Sequence, residues 1–169
     1  MSMTRHDIVM KWTAYLLAMA LVTVVNYYVI GPLPIALPQL LPILAVAGGT
    51  LEGASFGAVY GGACGVMMSS LGYLGPGCIV SLSAFGWLAG LVTQYLLRRD
   101  VWGHLICSVA AALVWELWTV GTRLVSHTAP LEVLLRVALP ELLWTLALTL
   151  PVYWVGRFCC VNYGRIYHE

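Results

Sequence analysis

Apolar residues run in long blocks along this chain, and polar or helix-breaking residues fall between the blocks. A membrane-crossing helix needs about 20 mostly apolar residues. Six stretches approach that length: 12–30, 35–51, 53–74, 77–97, 102–125 and 132–158. Gly31, Pro32, Leu33 and Pro34 close the first stretch, and the run from Gly72 to Gly77 separates the third from the fourth. Arg98, Arg99 and Asp100 follow the fourth, and Ser126 to Pro130 divide the fifth from the sixth. The least marked boundary lies between the second and third, from Gly48 and Gly49 to Gly53. The expectation is an all-α polytopic membrane protein of about six transmembrane helices, forming a single integral domain over residues 1–169. The apolar run from Trp12 to Ile30 exceeds the usual signal-peptide core, so it is expected to be a retained span.

Two stretches carry internal patterns. In the second, Pro34, Pro38 and Pro42 recur every four residues, and each interior proline removes a backbone hydrogen bond. Its length of about 25 Å falls short of a hydrocarbon core of ~30 Å. That pattern fits a discontinuous helix lining a pocket, or a tilted and kinked packing helix. In the third, Gly53, Gly57, Gly61 and Gly65 repeat at a spacing of four, with Gly49 before them. Residues four apart share a helix face, so these glycines predict a smooth packing groove. Lipid supplies little hydrophobic drive for helix association, and close backbone approach has to help. Gly86 and Gly90 repeat the pattern on the fourth stretch.

Composition agrees with a lipid exterior. Apolar residues make up 61% of the chain, charged residues only 9%, and the mean hydropathy is +0.89; soluble domains carry roughly 25% charged residues. A net charge of +1 leaves no footprint for nucleic acid. Counting Lys and Arg at alternate ends gives Arg5, Lys11, Arg98, Arg99, Arg157 and Arg165 on one side against Arg123 and Arg136 on the other. By the positive-inside rule both termini are cytoplasmic. Five cysteines without regular spacing read as small buried hydrophobes rather than a disulfide framework.

Charge inside the apolar stretches is the remaining signal, because a charged group at the bilayer centre costs on the order of 3 kcal/mol. Glu52, Glu116 and Glu141 are candidate buried polar or interaction positions. Glu116 lies nine residues before the end of the fifth stretch and Glu141 nine after the start of the sixth. In antiparallel neighbours they share a depth roughly 14 Å from the outer boundary. Such a pair would share a proton, bind a cation or contact a partner, unless Thr and Trp donors satisfy it locally. His6, His104, His127 and His168 are scattered, and no nucleophile elbow or phosphate loop occurs. No catalytic residue, metal or cofactor is expected, and an enzyme is the poorest class.

The order of these features resembles the bacterial rod shape-determining protein family MreD, in its Gram-positive, clostridial-type form. The matching residues are Leu37 to Leu41, then Leu51, Glu52 and Gly53 opening the series Gly57, Gly61, Gly65. The sixth stretch adds Leu139 to Trp144, then Pro151, Val152, Tyr153 and Arg157. The family often has an aspartate where this chain has Met68, Ser69 and Ser70. The resemblance implies a non-enzymatic scaffold of the cell-elongation complex in the bacterial cell membrane, supporting cell shape and peptidoglycan synthesis. Its implied partners are an MreC-type protein and, through it, MreB, RodA and a class B penicillin-binding protein; self-association is also open. The family is similar in turn to the six-helix substrate-binding subunits of energy-coupling-factor vitamin transporters, which supplies the alternative function.

Overall fold

In lipid a chain must satisfy its own backbone N–H and C=O groups, and a helix does so within one segment. The computed structural model describes residues 5–32, 38–71, 75–97, 100–126 and 130–163, and every regular element among them is helical. In chain order they are α1 (Arg5–Val24), continued by a π-helical turn (Val25–Ile30), α2 (Leu40–Glu52), α3 (Ala54–Ser70), α4 (Gly77–Tyr95), α5 (Val101–Val125), α6 (Leu131–Ala147) and α7 (Thr149–Tyr163). Among the described residues four stretches are long and apolar enough to cross a membrane: Ile8–Ile30, Gly77–Tyr95, Val101–Val125 and Glu132–Val161. Leu40–Glu52 is apolar but short, and its 13 residues reach only about 20 Å.

Three boundaries differ from the sequence reading, each for a physical reason. Pro38 and Pro42 fall at the start of the second helix rather than in its interior. Pro38 precedes α2 and Pro42 is its third residue, where first-turn N–H groups have no intrahelical bond to lose. Pro34 lies outside the described residues. The third stretch starts at Ala54, because Gly53 adopts φ 112°, ψ 175° between two helices. That backbone conformation strains any residue with a Cβ. The Gly53 N–H donates to the Gly49 carbonyl at 2.9 Å, and its own carbonyl accepts from Gly57 N–H at 2.9 Å. One residue therefore reverses the chain. The sixth stretch is two helices, with Leu148 between them. Pro151 lacks an N–H, and its ring would crowd the Ala147 carbonyl of a continuous helix.

At the centre stands α2. All of its residues are buried, and it touches α1, α3, α4, α5 and α7. A helix apolar all round belongs inside a larger structure, and α2 is one. Its closest neighbours are α3 and α4, which approach through glycine. A Cβ on Gly57 would fall 2.5 Å from Gly49 Cα and collide with the Gly86 carbonyl, so glycines of three helices meet at one node. A Cβ on Gly61 would strike the Leu82 carbonyl, and one on Gly65 would lie 2.5 Å from Ile79 Cα. Gly90 faces Ala54 at 2.5 Å in the same way. The pairings 54/90, 57/86, 61/82 and 65/79 run in opposite directions, so α3 and α4 are antiparallel. Side-chain transfer out of oil contributes little here; close backbone packing and hydrogen bonds across the seam hold the helices. Ser83 Oγ donates one such bond to the Ala58 carbonyl.

An aromatic cluster closes α1 over α3. Trp12 and Tyr15 lie 4.6 and 4.8 Å from the Phe56 ring, centroid to centroid. Tyr60 OH donates to the Tyr15 carbonyl at 3.0 Å. By contrast α6 touches mainly α5. It leaves Val133, Leu135, Val137, Leu139, Leu143 and Trp144 exposed.

Candidate functional site

The buried stripe of α1 and its π-helical continuation runs Lys11, Tyr15, Ala18, Val22, Asn26, a spacing that keeps one face of a helix turned inward. Lys11 occupies that stripe although its side chain is cationic. Its Nζ lies 2.6 Å from Glu52 Oε1, with both side chains fully buried. Tyr15 OH donates to the same carboxylate oxygen at 3.0 Å and lies 3.4 Å from the Gly156 carbonyl. Desolvating two charges costs several kcal/mol per ion, and good geometry with added hydrogen bonds is what offsets it. Lys11 is thus a core group, where the sequence reading placed it at the inner interface.

About half a turn back along α2, and so on its other side, a second polar cluster is equally closed. His104 is completely buried; Thr50 Oγ1 lies 3.2 Å from its Nδ1 and Ser108 Oγ lies 3.2 Å from its Nε2. Hydroxyls both donate and accept, so they satisfy a neutral imidazole in either tautomer. The Tyr153 ring lies 5.0 Å from the imidazole, tilted by 37° to it. Ser108 and His104 have the spacing of a nucleophile and its base, but neither exposes any surface to a substrate. Chemically the cluster ties α2, α5 and α7 together.

The other acidic positions lie toward the opposite end of α2. Gln39 Nε2 donates to Glu141 Oε1, and the Gln39 N–H donates to Thr145 Oγ1 at 3.0 Å. Thr145 Oγ1 in turn donates to the Glu141 carbonyl at 2.7 Å. Glu116 feels the charges of both Glu141 and Arg123, and Arg123 also acts on Glu141. Both carboxylates are half-buried, while Arg123, Glu132 and Arg136 are exposed. The structure therefore brings Glu116 and Glu141 into one electrostatic neighbourhood, and it places Glu52 far off in a separate ion pair.

The glycines divide in the same manner. Gly57, Gly61 and Gly65 lie on the face of α3 that meets α4, whereas Gly53 forms the link between α2 and α3. Gly121 of α5 is different: a Cβ there would meet nothing within 4 Å. It borders a groove of about 590 Å³ lined by Val114, Leu117, Trp118, Thr122 and Val125. Among the described residues no three His, Cys, Asp or Glu side chains converge on a metal position.

Sequence reasoning missed Lys11, His104 and Gly121. For the first two a signal existed. Lys11 continues the i, i+4, i+7 series of Tyr15 and Ala18, and His104 continues that of Ser108 and Ala111. A polar residue in phase with a buried stripe is a core candidate, whatever its charge. No protein-family model, curated protein or solved structure matches the chain.

Proposed function

We propose that this chain is a non-catalytic scaffold of the bacterial cell-elongation machinery, working in the cell membrane through an MreC-type partner. In this reading the chain crosses the bilayer six times with both termini cytoplasmic, α2 and α3 passing as a hairpin about Gly53. The observation that carries the proposal is the groove at Gly121. Gly49, Gly57, Gly61, Gly65, Gly86 and Gly90 are each met by the backbone of a neighbouring helix, but here a small residue borders unfilled apolar space between Leu117 and Val125. Small residues that admit a close backbone are what membrane helix contacts use. A partner's transmembrane helix fits that requirement. The half-buried pair Glu116 and Glu141 sits on α5 and α6, with Glu116 on the face of α5 turned away from this groove.

A vitamin-binding subunit has one observation in its favour. A groove of about 260 Å³ between Gly75, Cys78, Ser81, Trp115 and Thr122 mixes polar and aromatic groups. It is smaller than ligand sites of roughly 300–1,000 Å³, which ranks this reading second. Depletion of the protein in a rod-shaped host separates the two. Rounded cells and co-purification with an MreC-type protein are expected; normal shape with loss of vitamin uptake would reverse the order.

A further inference from the structure

A second groove runs along the outside of the bundle between α1 and α7. It measures about 840 Å³ and is lined by Ala14, Leu17, Leu21 and Val24 on one side and Trp154 and Phe158 on the other. Leu17, Leu21, Trp154 and Phe158 are all exposed, so they form walls rather than a lid. From Ala14 to Val24 the groove extends about 15 Å at 1.5 Å per residue. That is half of a hydrocarbon core of ~30 Å, the depth of a single leaflet.

Charge marks one mouth of the groove. Arg157 follows Gly156, whose carbonyl contacts Tyr15, so it stands level with the Ala14 end. It is exposed, and its guanidinium carbon sits 5.5 Å above the Trp154 ring. Among the described residues no carboxylate pairs with it. The neighbouring charges of Lys11 and Glu52 cancel each other inside the bundle. The mouth is therefore positive, planar in its donor geometry, and adjoined by an apolar channel one leaflet deep.

We propose that this groove binds an anionic phospholipid, one acyl chain lying between α1 and α7 and the phosphate held by Arg157. An arginine fork matches two phosphate oxygens, and stacking on Trp154 holds the fork in place. A zwitterionic lipid fills the channel equally well but gains less from the mouth, because its own cation competes for the phosphate.

Nanodiscs with equal amounts of phosphatidylglycerol and phosphatidylcholine, followed by native mass spectrometry, test this on the full chain. The wild-type protein is expected to retain phosphatidylglycerol with about a fivefold preference, the size of one basic side chain's attraction to anionic lipid. Arg157→Gln is expected to abolish the preference at unchanged melting temperature, and Arg157→Lys, which keeps the charge without the fork or the stack, to retain only part of it. Equal retention of both lipids by the wild type overturns the site, as does an unchanged preference in Arg157→Gln. Inorganic phosphate is expected to leave the melting temperature unmoved. A shift as large as that given by the lipid would mean that the channel takes no part, and would overturn the proposal too.

Discussion

The α2–α3–α4 half and the α5–α6 flank draw on the same apolar residues and pack in opposite ways. In the first, Gly49, Gly57 and Gly86 bring three backbones into contact, and every residue of α2 is buried. In the second, Leu117, Trp118, Leu139 and Leu143 stand exposed, and Gly121 faces open space. The acids follow suit. Glu52 has a counter-ion at 2.6 Å and no exposure, whereas Glu141 has a neutral amide and shares its surroundings with Glu116. In oil, burial of large side chains does not by itself distinguish an inside from an outside. What distinguishes them is whether small residues and polar groups already have their partners. By that measure the first half is finished and the second is not.

Substitutions at the two kinds of glycine break or sharpen the contrast most directly. Gly57→Leu sets a side chain against two backbones that have no room to yield. The cost is expected to exceed the ~3 kcal/mol usual for overpacking among side chains, leaving no monodisperse protein on size-exclusion chromatography in detergent. Recovery of the folded protein at wild-type yield would end the distinction between the halves. Next in size, Lys11→Met strands a buried carboxylate and is expected to cost about 3–5 kcal/mol in thermal unfolding. The double variant Lys11→Met with Glu52→Gln should regain most of it, because no uncompensated charge is left behind.

Effects on the open half should be small in stability and large in association. Gly121→Leu fills empty space, so its stability should stay within ~0.5 kcal/mol of wild type, while co-purification of the proposed MreC-type partner falls away. Retained co-purification would remove the groove from the proposal. Smallest of all, Glu141→Gln leaves Gln39 an oxygen to donate to and relieves Glu116 of a like charge. A change under ~1 kcal/mol is expected, and a loss rivalling that of Lys11→Met would put Glu141 in the sealed half after all.

Most helices were legible because hydropathy is a local property, and so were the places where Gly and Pro interrupt it. Partnership was not. Lys11 reads as a flanking positive charge because the carboxylate that draws it inward is 41 residues away in sequence. Leu148 was invisible for another reason: apolar character runs unbroken across it, and the clue is the backbone demand of Pro151 three residues on. The π-helical turn at Val25–Ile30, where the Gly31 N–H reaches back to the Asn26 carbonyl at 3.0 Å, has no compositional mark at all. The series Gly57, Gly61, Gly65 announced a close approach without naming the helix that makes it. Only the antiparallel register with α4 shows that Gly86 and Leu82 are the groups it meets.

The enclosure of α2 dictates an order of manufacture. A segment of 13 residues that ends with no lipid contact cannot leave the translocation channel as an independent span and wait in the bilayer. It must depart joined to α3 across the single-residue link at Gly53 and remain sheltered until α5 and α7 are synthesised. A ribosome that stalls before α7 would therefore release a product whose Lys11 and Glu52 lack part of their protein wall.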